Sequence, residues 1–106
     1  MARLIRTFYD NAQQKLKQMY YMNCGKVEGE YKGYHSNEQP SIICNFVDGK
    51  IEGEYKSYYD SGQLNKICYY INGIKEGEQR EYFENGQIRN VCNYINGQMK
   101  YEKYVE

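Results

Sequence analysis

Three carboxylate pairs recur along the chain, Glu28-x-Glu30, Glu52-x-Glu54 and Glu76-x-Glu78. On an extended strand such residues share one face about 7 Å apart, a spacing that acid/base chemistry or weak cation binding could use. Nothing around them suggests a cleft, and Lys32, Lys56 and Arg80 follow two residues later. A cross-strand ladder of solvated charges is therefore the expected arrangement. His35 is the sole histidine and occupies the position that Tyr59 and Phe83 hold elsewhere, so it reads as an aromatic substitute lacking the partners of a general base. Cys24, Cys44, Cys68 and Cys92 have no His or second Cys at ligand or triad spacing. No catalytic, cofactor-binding or metal-ligating residue is assigned, and an enzyme is not expected.

The residues suited to binding are aromatic. Tyr31 and Tyr55, then Tyr34, Tyr58 and Tyr82, then Tyr59 and Phe83 recur in register, and with Tyr70 and Tyr94 they make the candidate interaction surface. The chain has 14 Tyr and no Trp in 106 residues, with a mean hydropathy of -0.96. Leu, Ile and Val are too few for a deep core, so tyrosine must supply buried area, its ring on a sheet and its hydroxyl near water. Most of these rings are expected to pack within the fold. A thin structure still leaves some free for a protein partner or a second copy of the chain.

Fourteen Lys and Arg balance 14 Asp and Glu, which leaves no net field directed at phosphate backbones or anionic lipid. No nucleic acid is expected, and membrane contact is not favoured. A local basic bias at Arg3, Arg6, Lys15 and Lys17 against Asp10 reads as the solvated end of the molecule. With neither a signal-peptide core at the start nor a long apolar run, the expected setting is soluble and intracellular, the cytoplasm.

Elements that could position these residues follow from a repeat of 24 residues. Residues 31–54, 55–78 and 79–102 align without a gap, and a first copy over about 7–30 fits from Leu16 onward after a longer turn. The whole of 1–106 then forms a single domain. Met19, Ile43, Ile67 and Val91 share one column, and Cys44, Cys68 and Cys92 share another with Tyr20. Runs of β-branched and aromatic residues alternate with turn residues. Asp48-Gly49, Asn72-Gly73 and Asn96-Gly97 are type I′ hairpin signals, while Asp60-Ser61-Gly62 and Glu84-Asn85-Gly86 read as longer hairpin loops. The predicted fold is all-β, an elongated single-layer antiparallel meander of tandem hairpins.

Several registers follow. A turn at Asn72-Gly73 sets Ile71 opposite Ile74 and Cys68 opposite Gly77, and a loop over 60–63 sets Tyr59 opposite Leu64, Tyr55 opposite Cys68 and Gly53 opposite Tyr70. Tyr70 is then expected to lie across the bare backbone of Gly53. Equivalent cysteines stand two strands apart, about 9.5 Å, beyond the roughly 7 Å that a disulfide spans. Cys24 takes a turn position and should be exposed. Lys100, Glu102 and Lys103 should blunt the edge of the last strand.

The segments GKIEGEYKSYYDSGQL and GIKEGEQREYFENGQI resemble the variant class of MORN repeats, in which G-x-x-x-G-x-x-x-x-Y-x-x-x-G-Q recurs. The resemblance spans about residues 7 to 104. It departs at Glu38, Pro40 and Gln14 and where Lys100-Tyr101-Glu102 replaces EGE. It implies a twisted single-layer sheet used for protein contact, self-association or, in some members, membrane and phospholipid association. The chain is similar also to MORN-like proteins of giant DNA viruses and to bacterial antitoxin-like repeat proteins, which implies a viral source or a neutralised partner.

Overall fold

The computed structural model describes residues 2–104. Two-residue turns at 24–25, 48–49, 72–73 and 96–97 alternate with longer loops, of five residues at 10–14 and of three at 36–38, 60–62 and 84–86. The strands are β1 (Arg3–Phe8), β2 (Leu16–Asn23), β3 (Lys26–Val27), β4 (Gly29–Tyr34), β5 (Pro40–Val47) and β6 (Lys50–Ile51) in the first half. The second half holds β7 (Gly53–Tyr58), β8 (Leu64–Ile71), β9 (Ile74–Lys75), β10 (Gly77–Tyr82), β11 (Ile88–Ile95) and β12 (Gln98–Tyr104). They form one antiparallel sheet in the order β1-β2-β4-β5-β7-β8-β10-β11-β12, with β3, β6 and β9 pairing β2, β5 and β8. Its extents are 44 × 31 × 13 Å, the thickness of a single layer with side chains.

The two-residue turns have positive φ at both central positions, 54° and 82° at both Asp48-Gly49 and Asn72-Gly73, as type I′ geometry requires. Cys24 takes the same conformation at φ 52°, where Asn or Asp would fit with less strain.

The registers match the sequence reading in part. Tyr55 pairs Cys68, Gly53 pairs Tyr70 and Ile71 pairs Ile74. Leu64, however, pairs Tyr58 and not Tyr59. The Asp60–Gly62 loop is one residue shorter than expected, closed by hydrogen bonds from Tyr59 N–H to Gln63 O and from Gly62 N–H to Tyr59 O, both 2.9 Å. A bulge between Ser57 and Tyr58 restores the expected register beyond it.

The other correction lies after each two-residue turn. Tyr70 pairs Lys75, yet Ile67 pairs Arg80, a slip of two residues that takes Gly77 away from Cys68. The extra residues are Glu76 and Gly77, and the same break occurs at Glu28-Gly29 and Glu52-Gly53. Gly53 has φ 85°, and a Cβ there would meet nothing within 4 Å. Tyr70 therefore does not cover Gly53. Glycine recurs at this position because the backbone turns left-handed there, and not to make room for a ring.

Alternation along the strands gives two distinct faces. Cys44, Cys68 and Cys92 are buried to 5%, 1% and 3% exposure and lie on one of them, here the cysteine face. All four cysteines are free and Cys24 is exposed. The opposite, charged face carries Glu30, Glu54, Glu78, Lys32, Lys56 and Arg80.

Candidate interaction surface

Eight of the nine aromatic residues singled out from the sequence are half-buried, and only Phe83, at 45%, is exposed. Four of them line the cysteine face. Tyr31 stacks on Tyr20 with centroids 5.6 Å apart and meets the edge of Phe46 at 5.8 Å. Tyr55 meets Tyr70 edge-on at 5.9 Å, and Lys66 Nζ sits 5.5 Å from the Tyr55 centroid. Lys75 Nζ lies 4.8 Å from the centroid of Tyr94. Burial raises the acid dissociation values of the Tyr55 and Tyr94 hydroxyls and pushes that of Tyr70 up to about 12. These rings engage one another across strands, which is what a sheet without a covering layer needs for stability.

Gln79 ends this tyrosine column. Its amide is buried to 4% exposure, accepts from Lys75 Nζ at 2.7 Å and donates to Glu81 Oε1 at 3.3 Å. The cysteine face thus changes from aromatic to polar along the array.

The column of Tyr59 and Phe83 does a different job. Tyr59 Oη donates to Tyr82 O at 2.7 Å, His35 Nε2 bonds Tyr58 O at 2.8 Å and Tyr9 Oη donates to Tyr34 O at 2.6 Å. Each side chain reaches forward from one repeat to the main chain of the next. Because a carbonyl only accepts, His35 carries its proton on Nε2. His35 substitutes for the tyrosine hydroxyl as well as its ring, which sequence reasoning missed. Phe83 has no polar tip and ends the series. Tyr59→Phe should cost about 1 kcal/mol in urea unfolding, against no loss for Phe83→Tyr; equal effects at the two sites would remove the staple role. Tyr34, Tyr58 and Tyr82 supply the accepting carbonyls and pair Pro40, Leu64 and Ile88.

The recurring carboxylates divide between two roles. Glu28, Glu52 and Glu76 accept from the turn N–H groups of Asp48, Asn72 and Asn96, 20 residues on, at 2.6, 3.0 and 2.8 Å. Beside each, Gly49, Gly73 and Gly97 donate their own N–H to Val27, Ile51 and Lys75 O. Glu30, Glu54 and Glu78 instead pair with Lys32, Lys56 and Arg80 at 3.7, 3.2 and 2.5 Å. These ion pairs run along single strands, two residues apart. The expected cross-strand ladder is replaced because the apolar residues Ile43 and Ile67 stand directly opposite the lysines. Among the described residues, no cluster of three or more His, Cys, Asp or Glu could hold a metal ion.

Exposed apolar side chains concentrate on the face opposite the cysteine column. Leu4, Tyr21, Val47, Tyr69, Ile71 and Ile74, together with Ile95 and Tyr101, are exposed by 36 to 60%, and strand alternation places all of them on the charged face. Tyr69 and Ile71 share the parity of Ile67, a signal visible in the sequence. Tyr69 escapes a search for recurring columns because its equivalents vary, being Asn45 and Asn93, whereas Ile71 recurs as Val47 and Ile95.

A profile of the family described as MORN repeat variant matches residues 27–48, 51–72 and 75–96. The chain belongs to this MORN repeat family. The matched units begin 24 residues apart, and each runs from a short strand such as β6 to the first residue of the next tight turn. A MORN unit in this phase contains the forward-reaching glutamate, the left-handed glycine and the stapling aromatic. MORN repeats form a non-catalytic family and serve generally as protein- or membrane-interaction modules. No curated protein matches the chain.

Proposed function

We propose that this MORN array is a non-enzymatic protein-interaction scaffold whose charged face makes the contact. The supporting observation is the distribution of exposed apolar residues. Among the described residues, eleven large hydrophobic side chains stand exposed, and of these Tyr9, Phe83 and Met99 alone lie elsewhere. Exposed tyrosine and isoleucine interspersed with charges are the composition of a protein contact surface. The lysines on this face have carboxylates of their own chain beside them, so it offers no run of uncompensated positive charge to anionic lipid.

Photo-crosslinking from a benzophenone side chain tests this reading. Placed at Tyr69 it should yield protein adducts in cells, whereas at Tyr31, enclosed by Tyr20 and Phe46, it should yield few. Adducts from Tyr31 alone, or from neither position, would overturn the assignment of the charged face.

A further inference from the structure

The charged face is complementary to itself. Across the strands run parallel rows of side chains, spaced two residues apart along each strand. One row alternates Glu30, Glu54 and Glu78 with Asn45, Tyr69 and Asn93. Its neighbour alternates Lys32, Lys56 and Arg80 with Ile43, Ile67 and Val91. Beyond the acidic row lie Val47, Ile71 and Ile95, exposed by 48, 60 and 47%. Beyond the basic row lie Tyr58 and Tyr82.

We infer that a second copy of this chain covers this face, stacked about a two-fold axis that runs along the rows, midway between acids and bases. This rests on the scaffold reading above and names the partner. The rotation reverses strand direction and keeps each strand over its counterpart. Glu54 then faces Lys56 of the second copy, and Lys56 faces its Glu54. Glu78 and Arg80 do the same one repeat along. Tyr69 lies over Ile67, and the exposed Ile71 reaches the row of Tyr58 and Tyr82. An axis parallel to the strands would instead set acids over acids, so charge selects one of the two alignments.

The result is closed and isologous, as two-fold assemblies are. A face of 44 × 31 Å offers more than the roughly 800 Å2 per partner that a standard interface buries. The ion pairs are half exposed as they stand, with side-chain exposure of 35 and 49% at Lys56 and Glu54. Stacking exchanges bonds along a strand for bonds between copies and removes the aliphatic rows from water. The cysteine face has no such symmetry, being aromatic at one end and polar at the other.

The test is sedimentation equilibrium on the full chain and on two charge-reversed variants, Glu54→Lys/Glu78→Lys and Lys56→Glu/Arg80→Glu. Wild-type chain should be dimeric at about 50 μM. Each variant alone sets like charges together and should dissociate with a Kd at least about 100-fold higher. Mixing the two variants in equal amounts should recover a dimer, since every position then meets its opposite charge. Circular dichroism identical to wild type shows that each variant folds. A wild-type monomer at about 0.5 mM, variants that dimerise as wild type does, or a mixture that stays monomeric would each overturn the stacked dimer. A monomeric wild type whose Tyr69 position still crosslinks to other proteins removes this inference and leaves the scaffold reading standing.

Discussion

Gly97→Ala is expected to lower the unfolding free energy by about 2 to 3 kcal/mol, while Gly25→Ala lowers it by about 1. The two glycines hold equivalent turn positions with nearly the same φ, 80° and 79°. The left-handed penalty is therefore common to both. Their surroundings differ, because a Cβ at Gly97 would sit 3.0 Å from Ile74 Cγ2, whereas one at Gly25 would meet nothing within 4 Å. Ile74 belongs to the preceding repeat and its branched side chain has little χ1 freedom to retreat. Urea unfolding of the two variants measures the difference. Equal losses would show that turns of successive repeats do not press on one another.

The second large effect concerns thiol chemistry. Native protein should present a single fast-reacting thiol, Cys24, and the other three should react at least about 100-fold more slowly until denaturant exposes them. Burial pushes the Cys44 thiol up to about 11 and raises Cys68 and Cys92 as well. The sign of the accompanying pH effect follows. With folded values above the ordinary value of 9.0, the unfolded chain releases these protons first. Stability is thus complete below about pH 9 and falls as pH rises toward 11. Titration with a chromogenic disulfide, native and denatured, checks the count. Rapid labelling of more than one thiol in the native state would contradict the buried column.

Much of this arrangement is legible in the residues. Asp-Gly and Asn-Gly pairs specify type I′ turns through local backbone preference alone, and a hairpin at every junction leaves one strand order. The registers near the tight turns follow from the same local rule. What escapes is the slip at Glu52-Gly53, because a recurring glycine signals either a missing side chain's space or a left-handed backbone, and only the surrounding atoms distinguish them. Recurrence has a similar limit for the surface. Columns such as Tyr31 and Tyr55 recur because each copy must pack on the next, and in the structure they do. Tyr69 bears no such obligation to neighbouring repeats, so its column varies, with Asn45 and Asn93, and repetition does not mark it.

The forward-reaching bonds of Glu52 to Asn72 and Tyr59 to Tyr82 also govern how such a chain can lengthen. An inserted segment of 24 residues receives the glutamate and tyrosine of the unit before it and extends its own to the unit after it. Any other length strands donors and acceptors on both sides. Growth by duplication is consequently quantised, each accepted step adding two strands and about 9.6 Å of width, so that the gene behaves as a ruler with a single graduation.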